Sequence, residues 1–164
     1  MTDGWKAPRG TRIGHTHLTV SDLDRSLAFY RDLLGFQEMQ RFGDSAAFIS
    51  DGEYHHHIGL NTWAGKGAKP APKGHTGLYH HAILYPDRKS LAIVLRRLID
   101  VKYPFTGFSD HGVSEAIYLD DPDGIGVELY TDRPMEMWDR NPDGSLAMKT
   151  DPLDIESLLA ELEE

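Results

Sequence analysis

The sequence contains an internal repeat, and this feature constrains the fold more than any other. The segment IGHTHLTVSDLDRSLAFYRDLLGF begins at residue 13, and LYHHAILYPDRKSLAIVLRRLID begins at residue 78. When His15 is aligned with His80, Asp22 falls on Asp87, seven residues later in both copies. Each copy therefore predicts a strand that begins at a histidine, then a polar turn that contains an aspartate, and then an amphipathic helix.

Each copy of the repeat is followed by a similar pattern of strands. The first helix shows apolar residues at helical spacing, with Ser21 as the expected N-cap and Gly35 just beyond its end. Residues 46–60 and 115–130 each read as strand, turn, strand. We therefore predict an α+β fold that consists of two βαβββ modules.

The length of 164 residues fits one domain better than two independent domains. The extension that follows the repeats ends in an acidic amphipathic helix, which we expect to dock on the body of the protein or on a partner subunit. We expect a single domain over residues 1–164, with a first module at 12–61, a Gly/Pro-rich linker or lid at 62–77, a second module at 78–134 and the C-terminal extension at 135–164.

Charge and composition exclude several classes of function. The chain has 17 Lys and Arg against 26 Asp and Glu, so it offers no basic surface for nucleic acid. No apolar run approaches the roughly 20 residues that a membrane helix needs. The first ten residues lack the apolar segment of a secretory signal. We therefore expect a cytoplasmic protein that binds neither nucleic acid nor membrane. We also expect it to form a homo-oligomer, a dimer.

Histidine is the most unusual part of the composition, because all nine histidines lie in the first 111 residues and cysteine is absent. A metal site in this chain would therefore use nitrogen and oxygen ligands. The repeat aligns His15 with His80, and Gly59 with Glu128. If the two halves pair pseudo-symmetrically, these four positions converge. Two imidazoles, one carboxylate and an open position are typical of non-haem Fe(II) sites. His17, on the same strand face as His15, is the alternative first ligand.

Three segments resemble the metal-binding strands of the vicinal oxygen chelate superfamily: GHTHLTVSDLDRSLAFYRDLLGF, YHHAILYPD and DPDGIGVELYTDRP. This superfamily includes glyoxalase I, bleomycin-resistance proteins, fosfomycin-resistance enzymes and type I extradiol dioxygenases. The resemblance covers roughly residues 12–134. It implies two βαβββ modules that form a curved mixed sheet around a metal site, followed here by a short C-terminal helix. By position in these motifs, the metal ligands should be His15, His80 and Glu128, the set that the repeat also selects.

Within this superfamily, SDHGVSEAIYLDDPDGIGVELY is similar to extradiol dioxygenases of the catechol 2,3-dioxygenase type. Those enzymes have a histidine before a Val-Ser pair and a tyrosine ten residues before the glutamate ligand, which here are His111 and Tyr118. They also have an acid/base imidazole in an HH-type run, and EYHHHIGL resembles that run with His56 at the matching position. Strict strand alternation would instead direct His55 and His57 towards the site, so these histidines remain alternatives.

The resemblance implies an Fe(II)-dependent extradiol dioxygenase that cleaves a catechol-like substrate with O2, as in aromatic catabolism. His56 would move protons, and Tyr118 and His111 would hydrogen-bond to the bound substrate oxygen. Mn(II) is an alternative to iron. A glyoxalase-like isomerase or lyase that uses Ni(II) or Zn(II), and a non-catalytic drug-binding module of the bleomycin-resistance type, are the alternative functions. Many extradiol enzymes contain two such domains, whereas this sequence contains one.

Overall fold

The first half of the chain forms one βαβββ module with a four-stranded mixed sheet. In the computed structural model, which describes residues 4–72 and 74–163, the strands of this sheet are β1 (Thr16–Thr19), β2 (Gln37–Phe42), β3 (Ala46–Ser50) and β4 (Ile58–Asn61). Helix α1 (Leu23–Leu27) follows β1 and continues into a π-helical segment (Ala28–Leu33). The strand order is β1-β4-β3-β2, in which β1 and β4 are parallel and the other pairs are antiparallel.

The second half repeats this topology. Its strands are β5 (His81–Leu84), β6 (Gly107–Asp110), β7 (Ser114–Asp120) and β8 (Gly126–Asp132), and helix α2 (Arg88–Asp100) follows β5. The strand order is β5-β8-β7-β6, again with one parallel pair and two antiparallel pairs. The predicted α+β fold of two βαβββ modules with a short C-terminal helix is confirmed.

The two aspartates that align in the repeat perform the same structural task. Asp22 caps α1 and Asp87 caps α2, because each carboxylate accepts a backbone N–H from the first turn of its helix. The prediction that Ser21 caps α1 is therefore wrong. The Ser21 hydroxyl instead donates to the Asp123 carboxylate at 2.6 Å and so connects the first module to the second.

The helices cover one face of each sheet, and the two modules share one hydrophobic core. In β8, Val127 and Leu129 are buried against the helices, whereas Glu128 and Tyr130 lie half-buried on the other face. The largest fully buried side chains come from both modules and from the C-terminal helix; they include Leu27, Tyr30, Leu60, Leu95, Leu129 and Leu158. Each sheet therefore keeps its second face for functional side chains.

The chain ends in a short 3-10 helix (Met135–Met137) and helix α3 (Ile155–Ala160). Helix α3 packs against α2, with Leu158 fully buried, so it docks on the body of its own chain. No helix in the described part of the chain is long and apolar enough to cross a membrane. Residues 1–3, 73 and 164, which the predicted domain includes, lie outside the described residues. The division into modules, linker and extension stays a prediction.

Candidate active site

The strand registers support the alignment of the predicted site positions. His17 pairs with Gly59 between β1 and β4, and Ala82 pairs with Glu128 between β5 and β8. Gly59 and Glu128 therefore occupy equivalent positions in the two sheets. His15 and His80 each stand one residue before the first strand of their module.

The second sheet brings four predicted site residues together through one His–Glu ion-pair contact and two hydrogen bonds. Nε2 of His80 lies 3.0 Å from Oε2 of Glu128. The Tyr118 hydroxyl donates to Oε1 of Glu128 at 2.8 Å and lies 2.8 Å from Nε2 of His111. Because Tyr118 on β7 is directly opposite Glu128 on β8, the two side chains share a face of the sheet. We call these four residues the second-module network.

Burial determines the electrostatics of this network. The side chain of Glu128 is 13% exposed, and a carboxylate in such a place needs partners that offset its lost hydration. His80 and Tyr118 supply them. Burial, followed by the hydrogen bond to Glu128, raises the pKa of Tyr118, so its hydroxyl stays protonated as a donor at neutral pH.

His80 and Glu128 fit a divalent cation as two neighbouring ligands. In an octahedral shell with bonds of about 2.1 Å, adjacent donor atoms are about 3.0 Å apart. The observed 3.0 Å between Nε2 of His80 and Oε2 of Glu128 matches that separation. Nδ1 of His80 is buried without a hydrogen-bond partner among the described residues, so Glu128 is the polar group that holds the ring.

His15, the third predicted ligand, does not lie with this pair. No three His, Asp or Glu side chains in residues 4–72 and 74–163 are grouped closely enough to hold a metal ion. His15 instead packs against His56, with ring centroids 4.4 Å apart. Both His15 and His80 line one open cleft of about 940 Å³ between the modules. The ligand set of His15, His80 and Glu128 stays a prediction, with two of its three members adjacent.

The position of His56 follows from an irregular backbone segment. Residues 51–57 form bends, and β4 begins only at Ile58, so strict strand alternation does not apply to the three consecutive histidines. The His56 ring packs against Phe48 at 5.0 Å as well as against His15. Nδ1 of His56 lies 2.7 Å from Nδ1 of His55. Burial, followed by the neighbouring imidazole of His15, lowers the pKa of His56 below its usual value.

His57 and His17 have other surroundings. Nδ1 of His57 lies 3.8 Å from Oδ1 of Asp51. The ring of His17 covers Gly59, because a Cβ at Gly59 would lie only 2.9 Å from that ring. His17 also packs against Trp63, with centroids 5.6 Å apart. The position that the sequence predicted to be open is therefore occupied by an imidazole from the neighbouring strand.

A second cavity, of about 600 Å³, adjoins the second-module network. His80, His111 and Tyr118 line it together with several small polar residues, namely Thr106, Ser109 and Thr150. Thr150 belongs to the C-terminal extension, in which the sequence indicated no site residue. The cavity is the part of the molecule where a small ligand would meet three predicted site residues at once.

His81 faces away from this network and joins the modules. Its Nε2 lies 3.0 Å from the Tyr30 hydroxyl, which donates to Asp121 at 3.0 Å. Burial lowers the pKa of His81 to about 4, so the ring is neutral at physiological pH. Tyr30 comes from the first module, so these buried side chains fix the start of β5, and with it His80, relative to the first module.

Comparison with known proteins gives one family and several relatives. A sequence profile described as "Glyoxalase/Bleomycin resistance protein/Dioxygenase superfamily" matches residues 12–129. A catechol-2,3-dioxygenase of Bacillus subtilis is 45% identical over 152 residues, which are 92% of this chain and 52% of that protein. A biphenyl-2,3-diol 1,2-dioxygenase of Rhodococcus globerulus is 29% identical over 74% of this chain and 63% of that protein. The chain thus spans only about half to two thirds of the length of these relatives.

Solved structures show the same fold at low identity. A glyoxalase/dioxygenase from Nostoc punctiforme superposes with a TM-score of 0.65 at 20% identity, and it covers 82% of this chain and all of that one. A lactoylglutathione lyase from Agrobacterium tumefaciens superposes with a TM-score of 0.59 at 22% identity, over 76% of this chain and 96% of that one. At such identities the likeness concerns the fold alone.

Proposed function

Because this chain belongs to the glyoxalase/bleomycin resistance protein/dioxygenase superfamily, we propose that it is an Fe(II)-dependent extradiol dioxygenase acting on a catechol-like substrate. The observation that carries this proposal is the second-module network, which joins two predicted metal ligands to the two predicted substrate-binding residues. The 45% identity to a catechol-2,3-dioxygenase supports the same activity.

In this proposal His15, His80 and Glu128 hold the metal ion. The adjacency of His80 and Glu128 supports two of these ligands. His15 stands before β1 on the cleft that His80 also lines, which supports the third. A bound ferrous ion would supply a centre at which a catecholate and dioxygen meet, as 2-His-1-carboxylate sites do. Two neutral imidazoles and one carboxylate leave such an ion with a net positive charge, which favours an anionic substrate.

Tyr118 and His111 bind and orient the substrate in this proposal. Both side chains line the cavity of about 600 Å³ together with His80, so a ring placed there would contact all three residues. Burial and Glu128 keep the Tyr118 hydroxyl protonated, and its single proton, which Glu128 accepts in the structure, would turn to the oxygen of a bound substrate. Fixing the reacting oxygen in one orientation is a large part of what such a site can contribute to the rate.

His56 takes the proton of the catechol in this proposal. Its lowered pKa keeps the imidazole neutral at pH 7, which is the state a general base needs. Because Nδ1 faces His55, Nε2 is the nitrogen available to the substrate. The protonated ring can then return this proton at a later step, since an imidazole titrates in the physiological range.

The experiment is metal loading followed by turnover. The chain is loaded with Fe(II) under anaerobic conditions, and catechol and then oxygen are added while O2 uptake and a yellow ring-cleavage product are recorded. Parallel samples carry Mn(II), Ni(II) or Zn(II), and an Fe(II)-treated Glu128→Gln variant is the control. The proposal expects O2 uptake and product with Fe(II) in the wild type and neither in the variant.

Each contrary result has a defined meaning. Turnover of a hemithioacetal with Ni(II) or Zn(II), without O2 uptake, would replace the proposal with an isomerase. Tight drug binding by a chain that retains no metal would replace it with a binding module. Gly59 is an observation against the isomerase, because that position supplies no second carboxylate.

A further inference from the structure

The C-terminal extension adds a short segment to the edge of the second sheet. Asp151 forms an isolated antiparallel bridge with Asp110, the last residue of β6. Their backbones exchange two hydrogen bonds, of 2.8 and 3.0 Å, and the Lys149 amide donates to the carbonyl of His111 at 3.2 Å. We call residues 149–151 the C-terminal strap. It lies beyond residues 12–129, the part that the family profile matches.

One main-chain atom of the strap contacts a predicted site residue. The carbonyl oxygen of Lys149 lies 2.8 Å from Nδ1 of His111. A carbonyl can only accept a hydrogen bond, so Nδ1 must carry a proton. In the neutral ring Nε2 is then unprotonated and can only accept a hydrogen bond. It lies 2.8 Å from the Tyr118 hydroxyl, whose single proton is donated either to Glu128 or to this nitrogen.

The strap also forms one wall of the cavity beside the second-module network. Thr150 lines this cavity with His80, His111 and Tyr118. The side chain of Lys149 packs over Gly112, where an added Cβ would lie 3.3 Å from it. The strap and the loop after β6 therefore contribute Thr150 and His111 to the wall of this cavity.

The strap is attached to the body of the protein on its C-terminal side. Leu153 is buried, and Leu158 on α3 is fully buried against the core. Arg88 on α2 pairs with Glu161 just after α3 and with Glu115 on β7 at 2.7 Å. These contacts attach the segment that follows the strap to the core and to α2.

We propose that the C-terminal strap is a positioning element of the active site. The Lys149 carbonyl holds His111 in the Nδ1–H tautomer, with Nε2 directed at Tyr118, and Thr150 limits the space beside the substrate ring. Lys149 acts through His111 and is a positioning residue. This inference rests on the proposed dioxygenase function for its effect on turnover, whereas the tautomer of His111 can be measured without any activity.

The test combines ¹⁵N NMR of the histidine rings with kinetics on the full chain. At a pH of about 8.5, where an ordinary imidazole is neutral, the His111 signals are assigned by comparison with His111→Gln in protein that carries Zn(II) as a diamagnetic substitute. Lys149→Pro removes the N–H that binds the His111 carbonyl, and Asp151→Pro removes the N–H that binds Asp110. Met148→Pro is the matched control, because the Met148 amide makes no hydrogen bond within the described residues.

We expect the Nδ1–H tautomer in the wild type and in Met148→Pro, and a mixture of tautomers in the two other proline variants. Their kcat/KM should fall by about 3- to 10-fold, the effect of losing one neutral hydrogen bond. Circular dichroism and thermal melts identify any variant that does not fold.

An Nε2–H tautomer in the wild type would overturn the proposal, and this measurement needs no variant. So would folded Lys149→Pro and Asp151→Pro proteins with an unchanged tautomer and unchanged kcat/KM. If the tautomer shifts as expected but the Fe(II)-loaded wild type cleaves no catechol, the positioning of His111 is supported and the dioxygenase function is refuted.

Discussion

Replacing Tyr118 with phenylalanine removes one hydroxyl from the centre of the second-module network. That hydroxyl donates at 2.8 Å to a glutamate whose side chain is 13% exposed, so the bond belongs to the charge-assisted class, worth about 1.5–3 kcal/mol. A loss of this size in the transition state lowers kcat/KM by about 10- to 150-fold. We predict such a loss for Tyr118→Phe, measured by O2 uptake with catechol, and we predict unchanged iron content because His80 and Glu128 remain.

Tyr103→Phe is the matched control for this prediction. The Tyr103 hydroxyl also donates at 2.8 Å, but to the backbone carbonyl of Asp120 and outside the network. We expect this variant to keep its kcat/KM while it loses some thermal stability. A Tyr118→Phe enzyme with the same kcat/KM as Tyr103→Phe would refute the role of the hydroxyl. Loss of iron from Tyr118→Phe would show that the hydroxyl acts through Glu128 on the metal.

Three further predictions concern the metal, the base and the junction between the modules. Tight Fe(II) binding, measured by metal analysis after gel filtration, should be lost in each of Glu128→Gln, His80→Ala and His15→Ala. Full iron occupancy in all three variants would contradict the proposed metal site. Iron retained only in His15→Ala would indicate His17 as the first ligand. His56→Gln should keep its iron, and its kcat should fall by a factor of about 10²–10⁴. If kcat falls only in His55→Gln or His57→Gln, that histidine is the general base instead of His56. The folded-state pKa of His81, about 4, lies below the usual value of 6.5, so the unfolded chain binds more protons between these values and the free energy of unfolding falls as the pH falls. Urea titrations from pH 7 to 4 should show wild type losing up to about 3 kcal/mol more than His81→Gln, and parallel curves would contradict the buried neutral ring.

The fold could be predicted because the internal repeat shows the same order of strand, helix and strands in both halves of the sequence. Aligning His15 with His80 also aligned Asp22 with Asp87, and both aspartates cap the helix that follows them. A cap is a local interaction between residues three positions apart, so sequence patterns contain it. Ser21 was misassigned because its partner, Asp123, is 102 residues away and belongs to the other module.

The site could be predicted only where it depends on strand pairing. Tyr118 and Glu128 lie on neighbouring strands of one hairpin, so their spacing in the sequence determines their contact. His56 could not be placed by alternation, because residues 51–57 leave the strand and include a turn at Gly52 with φ of +106°. The Lys149 carbonyl gives no signal at all, since every residue has this group. The placement of His15 depends on how the two modules pack, which no local pattern encodes.

The most direct test of the dioxygenase proposal is the fate of labelled oxygen. The Fe(II)-loaded chain is supplied with catechol and ¹⁸O2, and the product is analysed by mass spectrometry. We predict a ring-opened product that carries both labelled atoms, formed only by protein with intact His80 and Glu128. Unchanged catechol and no O2 uptake, from protein shown to hold one equivalent of Fe(II), would contradict the account.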